Sequence, residues 1–312
     1  HYSTVLLWAN ALDCARLAGD ADVERRLVEK FVPFYGEKAE LLPKFKHVDF
    51  SVFGAVPLGI AALTDDARAR ELGLRFADGQ FEKPKADDPP PTYNAKTLEE
   101  RMDWWAKGYS DQTRLWIDDG YMICLLQTQA FRATGDRKYL DRAAKELVLY
   151  LDRLQLENGL FHHADGVPVC WGRGNGWMVG AMALMLRHLP EGHPDRARIL
   201  SGFRRMCATL LRHQRADGRW GQIVDDAGSW PETSCSAMFA SGFALGAKRG
   251  WLDADYLDAA KRTWTTLVGL MDAYGNLPET CCGTEARNSR DHYLRRVRIN
   301  GDPHGQAAML WL

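Results

Sequence analysis

The sequence lacks the features that mark several specialised classes of protein. It has no run of about 18 apolar residues, so nothing in it reads as a membrane-spanning helix. Neither sign of charge prevails: 40 Lys and Arg stand against 41 Asp and Glu, a formal net charge of -1. That balance argues against a nucleic-acid partner, which needs a basic face to displace phosphate counterions. It also offers an anionic membrane surface no general attraction. The seven cysteines include no CxxC pair and are odd in number, which makes neither a disulfide framework nor a structural zinc site. Most stand in apolar helical stretches, where a free thiol behaves as a small hydrophobe. This usage favours a reducing, cytoplasmic setting; the periplasm is the alternative, because the chain begins at His1 rather than Met. There is no GxSxG elbow, no HExxH pair and no Gly-rich loop ending in Lys-Ser/Thr, so three common catalytic frameworks are excluded. Strand-like alternation is scarce.

What is present is helix, and an excess of aromatic residues. Apolar residues recur at spacings of three and four over residues 5–17, 113–133, 137–155, 176–189, 197–214, 232–249 and 254–273. Thr134-Gly135-Asp136 reads as a helix stop beside the cap of the next helix, and Pro231-Glu232-Thr233 as a helix start with Pro in its first turn. Eleven Trp and ten Tyr suit either core packing or stacking on the faces of sugars.

A degenerate repeat underlies the helices. Asn158-Gly159, Asp217-Gly218 and Tyr274-Gly275 each follow a helix and precede an apolar residue, with their glycines 59 and 57 residues apart. Asp78-Gly79 is an earlier, more distant copy. Units of this length with two helices each predict an array of helical hairpins. Their irregular, Trp-rich loops predict a closed array: an all-α (α/α)6 barrel of inner and outer helices, with those loops at one mouth. At about 150 residues per domain the length alone suggests two domains. The repeat instead predicts a single domain over residues 1–312. Residues 84–94, rich in Pro and Asp, read as a loop at the barrel rim, with an interdomain linker the alternative.

Three clusters carry potential chemistry. Trp116-Ile117-Asp118-Asp119-Gly120-Tyr121-Met122 sets two acids in an apolar helix, where an unpartnered carboxylate is costly. Only one of the two can face the centre, and periodicity leaves open which; a solvated face or an ion pair with Arg114 is the competing explanation. Asp49, among the aromatics of His47-Val48-Asp49-Phe50, is either a first-turn acid or the partner of Asp118 in a carboxylate pair. Trp171-Gly172-Arg173-Gly174-Asn175-Gly176-Trp177 joins a guanidinium to two rings and three glycines, which suits an anionic sugar. Cys281-Cys282 with His292 is a poor metal site, because vicinal cysteines seldom supply two tetrahedral ligands. The residues thus call for no metal and no cofactor, and they set no oligomeric state.

Taken together, WIDDGYM (116–122), TGDRKYLDRA (134–143), GLFHH (159–163), WGRGNGW (171–177), WPETSCSAMF (230–239) and NGDPHGQAAMLWL (300–312) resemble the unsaturated uronyl hydrolases of glycoside hydrolase families 105 and 88. The resemblance implies an (α/α)6 barrel acting on oligosaccharides that end in a 4,5-unsaturated uronic acid. Such an enzyme hydrates the C4=C5 bond rather than attacking the glycosidic bond. By motif, Asp118 is implied to be the general acid/base and Asp49 the second acid, with His163, Trp171, Arg173 and Trp177 on the substrate. The sequence departs from the family at one position: residues 103–117 contain no His, which leaves Gln112 or Arg114 to fill that place. The loop from His163 to Trp171 is also short, which bears on the leaving-sugar subsite. An ordinary inverting glycosidase, a sugar epimerase and a non-catalytic carbohydrate-binding module are the other readings of such a barrel.

Overall fold

Helix boundaries follow local capping chemistry along the chain. The computed structural model describes residues 2–44, 46–88 and 97–312. After α1 (Tyr2–Ala18), the carboxylate of Asp20 accepts the Val23 N–H and opens α2 (Ala21–Glu29). A single turn, α3 (Val48–Ser51), precedes α4 (Ala55–Thr64) and α5 (Ala67–Gly79); Asp66 opens α5 by accepting from Arg68 and Ala69. A capping box between Thr97 and Glu100 starts α6 (Leu98–Ala106). Asp136 accepts the Lys138 N–H between α7 (Ile117–Thr134) and α8 (Lys138–Arg153), as its spacing predicts. The remaining helices are α9 (Gly172–His188), α10 (Arg196–His213), α11 (Thr233–Lys248), α12 (Asp255–Leu270), α13 (Arg290–Leu294) and α14 (Pro303–Met309). Among the described residues, named strands form only two short antiparallel pairs: β1 (Trp220–Gly221) with β2 (Pro231–Glu232), and β3 (Thr280–Cys281) with β4 (Arg298–Ile299). The class is all-α, as periodicity predicts.

One local expectation is corrected. Pro231 does not open α11; it lies in β2, and the Glu232 carboxylate caps the helix by accepting from Ser234 and Cys235. The run Gly172–Gly176 forms the first turns of α9. Of the Pro-rich stretch, residues 89–94 lie outside the described residues.

The chain gathers into two compact units, His1–Arg114 with Met122–Glu146, and Leu115–Tyr121 with Leu147–Leu312, so that α7 and α8 each contribute to both. In the first unit Leu12, Phe31, Phe53, Val56 and Ile60 form a buried cluster flanked by Trp8 and Phe34. In the second unit α9 packs on α11 and α10, and α11 also packs on α12 and α14.

The repeat read from glycine spacing recurs in the second unit as a hydrogen-bond pattern. Gln155 Nε2 donates to the carbonyls of Gly159 and Gly202; Gln214, 59 residues later, donates to those of Gly218 and Ala259. Likewise the Thr209 hydroxyl donates to Asn158 and the Thr266 hydroxyl to Asp217. Each turn is therefore tied to the second long helix after it in sequence, α10 and then α12. Gly159 (φ +91°) and Gly218 (φ +81°) hold left-handed conformations, and a Cβ on Gly159 would lie 2.6 Å from backbone atoms of Arg205 and Met206. Gly79 is different: it closes α5 without a positive φ, which explains its irregular spacing.

Gly275 has φ +77° but open space around its Cα, whereas Gly159 has both the strained φ and the backbone clash. Alanine at Gly275 should cost about 1 kcal/mol, the conformational penalty alone. Alanine at Gly159 should cost at least twice that, read as the difference in urea-unfolding midpoints between the two variants.

Candidate active site

The chain enters α7 through Leu115, which holds φ +60°, a conformation that costs an L residue about 1–2 kcal/mol. Trp116 then bridges antiparallel to Ala164, and the Ile117 N–H donates to the His163 carbonyl at 3.0 Å. These backbone ties set the first turn of α7 against the segment carrying His163. Asp118 is 6% exposed, and its Oδ2 lies 3.3 Å from His163 Nε2. His163 is fully buried; its Nδ1 lies 2.6 Å from the Tyr293 hydroxyl, and its ring lies 4.5 Å from that of Trp171. Asp119 is also buried, but successive helical residues point about 100° apart, and it accepts instead from the Tyr150 hydroxyl at 3.3 Å. The ambiguity between the two acids thus becomes a division of partners.

The glycines of WGRGNGW admit protein, not a ligand. A Cβ on Gly172 would lie 2.8 Å from the Gly221 carbonyl, on Gly174 2.6 Å from Ile117, and on Gly176 2.4 Å from the Met238 sulfur. Asn175 clamps the helix start by accepting from the Phe161 N–H and donating to the carbonyls of Phe161 and Trp171. Trp171, Arg173 and Trp177 are fully buried. Trp171 is the N-cap residue of α9 and Trp177 lies within it, stacked on Tyr121 at 5.1 Å and edge-on to Trp311. Arg173 donates to the carbonyls of Cys281 (2.5 Å) and Cys282 (2.8 Å), with its guanidinium 4.6 Å from the Trp171 ring.

Two residues that sequence reasoning passed over complete this part of the molecule. Tyr293, at the end of α13, stands in none of the motifs, and nothing in the sequence marks it. His304 stands inside NGDPHGQAAMLWL, one residue into α14, and is 3% exposed with Nδ1 2.6 Å from the Asp302 carboxylate. Burial and then the positive charge of Arg173 pull its pKa down to about 4, against the opposing pull of Asp302 and Asp118. Its burial could have been inferred from its place in an apolar helix; its electrostatic neighbours could not. Among the described residues, no three His, Cys, Asp or Glu side chains are grouped to hold a metal ion.

In the first unit Asp49 sits in the first turn of α3, capped by His47, whose Nδ1 accepts the Asp49 N–H. Arg114 is 4% exposed and joins both residues, with Nη2 3.2 Å from Asp49 Oδ1 and Nη1 3.1 Å from His47 Nε2. Nearby in sequence, Lys46, Ser51 and Gln112, with Arg75 and Phe76, line a cavity of about 530 Å³.

The fold is that of a class of helical-barrel proteins. The chain aligns over 99% of its length with a possible family 105 member from Salmonella enterica (TM-score 0.81, 19% identity, 81% of that chain). It aligns equally fully with the unsaturated glucuronyl hydrolase of Bacillus sp. GL1 (TM-score 0.70, 20% identity, 84% of that chain). The chain belongs to Glycosyl Hydrolase Family 88, whose profile matches residues 1–312. An unsaturated 3S-rhamnoglycuronyl hydrolase of Alteromonas sp. is 32% identical over 166 residues, 49% of this chain and 40% of that protein. An unsaturated rhamnogalacturonyl hydrolase of Bacillus subtilis is 25% identical over 212 residues, 65% of this chain and 60% of that protein. The matched region therefore spans less than two thirds of these relatives. No helix among the described residues is long and apolar enough to cross a membrane.

His304 binds a proton less readily in the folded chain than in the unfolded one, where its value is near 6.5. Its contribution to stability is therefore complete above pH 6.5 and is lost as pH falls from there towards 4, a swing of about 3 kcal/mol. Urea midpoints measured across that range should fall with pH, and His304→Gln should flatten this dependence.

Proposed function

We propose that this protein hydrates the C4=C5 double bond of a 4,5-unsaturated uronic acid at the non-reducing end of a lyase-generated oligosaccharide, releasing that sugar from an acidic polysaccharide fragment. The observation that carries the reading is Asp118: a buried carboxyl set beside a buried histidine, on the WIDDGYM motif of a family 88 chain. The unsaturated sugar is an enol ether. Asp118 delivers its proton to C4, the ring oxygen stabilises the cation that forms at C5, and the Asp118 carboxylate then takes a proton from the water that adds there. The hemiketal opens as its C5–O5 bond breaks: C5 becomes a ketone, the hydroxyl proton passes to O5, and the C1 hemiacetal so formed releases the remaining chain as an alcohol, leaving an aldehyde at C1. No metal or cofactor enters the scheme.

Asp49 is the second acid, and Arg114, joined to His47 and Asp49, fills the place of the absent histidine. Arg173 supplies positive charge for the uronate carboxylate, its guanidinium oriented by the carbonyls of Cys281 and Cys282. Trp171, Trp177 and His163 complete the substrate side. The reading treats residues 1–312 as one catalytic domain. Names of relatives support it: two are called unsaturated 3S-rhamnoglycuronyl hydrolase and unsaturated rhamnogalacturonyl hydrolase, though the chain matches only part of each.

The double bond absorbs in the near ultraviolet, so turnover removes absorbance from lyase digests. Pectic, glycosaminoglycan and ulvan digests should be screened, and at least one should lose its absorbance. Asp118→Asn should lower the rate by at least about 100-fold, the range of general acid catalysis, with an unchanged circular dichroism spectrum. Absorbance that persists in every digest refutes the function, and an active Asp118→Asn variant removes Asp118 from its role.

A further inference from the structure

His163 has a neighbour at each ring nitrogen, and the one on the Nδ1 side fixes where the ring proton sits. On the Nδ1 side the Tyr293 hydroxyl lies 2.6 Å away, and the same oxygen accepts the Arg287 N–H at 3.2 Å. Tyr293 is fully buried. Burial raises the Tyr293 hydroxyl well above the usual tyrosine value, so the phenol keeps its hydrogen. Of the groups in contact with that oxygen, Arg287 N–H is a donor, so His163 Nδ1 is the acceptor available to the hydroxyl hydrogen. Were Nδ1 protonated, the phenolic hydrogen would be left buried and unmade, which costs its full desolvation penalty. Nδ1 therefore carries the lone pair, and the ring proton sits on Nε2, facing Asp118 Oδ2 at 3.3 Å. At that separation neither Nε2 nor Oδ2 completes a hydrogen bond.

We propose that Tyr293 is a positioning residue: it locks His163 as the neutral tautomer protonated on Nε2, so that an N–H rather than a lone pair faces Asp118 Oδ2. A wrong tautomer would turn a lone pair on Oδ2 and draw the acid proton into the protein, away from the substrate. Trp171 and Trp116 flank the imidazole, Trp171 at 4.5 Å and Trp116 edge-on at 5.7 Å, and hold the plane that Tyr293 orients. The proposal rests on Asp118 being the proton donor, but the tautomer itself does not.

The test has two independent readouts. Long-range ¹H–¹⁵N correlation on protein with ¹⁵N-labelled histidine reports which ring nitrogen carries the proton, and His163→Gln identifies the His163 signals by their disappearance. The expected spectrum shows a protonated Nε2 and a bare Nδ1; a protonated Nδ1 in the wild-type protein overturns the proposal without any variant of Tyr293. On the substrate that the absorbance screen selects, Tyr293→Phe should lower kcat by about 10-fold or more with KM nearly unchanged, the size typical when the group orienting a functional histidine is removed. In its spectrum the His163 tautomers should become mixed. An unaltered kcat, or a loss confined to KM, likewise overturns the proposal. If the tautomer is as stated while Asp118→Asn remains active, the function assigned to Asp118 fails and the locked histidine stands.

Discussion

The first turns of α9 approach their neighbours so closely that a Cβ does not fit at three alternate positions, and the geometry of the second unit depends on that constraint. Gly172 lies against the Gly221 carbonyl and Cys235, Gly174 against Ile117, and Gly176 against Met238. Through Ile117 this contact reaches the very turn that carries Asp118; through Gly221 and Cys235 it reaches β1 and α11. Interiors packed to this density transmit position well, since a displaced methyl group is felt by its neighbours. Arg173, between Gly172 and Gly174, is carried into the interior on the same turn and is anchored there by two carbonyls of β3 and the residue after it.

Charge is managed by the same elements. A near-zero total does not conflict with an anionic substrate, because one buried guanidinium in a low-dielectric setting acts on its surroundings far more strongly than a surface cation. The basicity of His304 is depressed first by burial and then by that field. Glu232 accepts from Ser234, Cys235 and Cys281 and Asp119 from Tyr150, while Asp118 lies beside His163. In the first unit Arg114 plays the corresponding part for Asp49 and His47. Burial without partners would push each of these groups to its neutral form.

Much of the fold was legible in the residues. The long helices fall within a few residues of their predicted spans, because an amphipathic stripe is a local property of the chain. The repeat was legible too, for its turns need left-handed residues and so place glycine at fixed intervals; the glutamine and threonine bonds that accompany it were hidden because their acceptors are backbone carbonyls with no signature. The glycines of WGRGNGW were recognised as unusual but assigned the wrong physical cause. A glycine required by a ligand and a glycine required by a neighbouring helix are identical in sequence, and only the 2.4–2.8 Å approaches tell them apart. Pro231 misled for a similar reason: proline suits a strand edge and a helix start equally, and the cap was the acid after it.

The sequence by itself determined the all-α class, the hairpin repeat, and the short set of acids, rings and guanidinium from which a site could be made, since propensity, period and motif are written residue by residue. Tertiary structure alone decided their partners: that Asp118 meets His163 while Asp119 meets Tyr150, that Arg173 hangs from Cys281 and Cys282, and that Tyr293, 130 residues from His163, holds its other nitrogen. Hydrogen bonds act over about 3 Å in space whatever the separation along the chain, so the chemistry of a carboxyl group is set by neighbours that the linear order does not reveal.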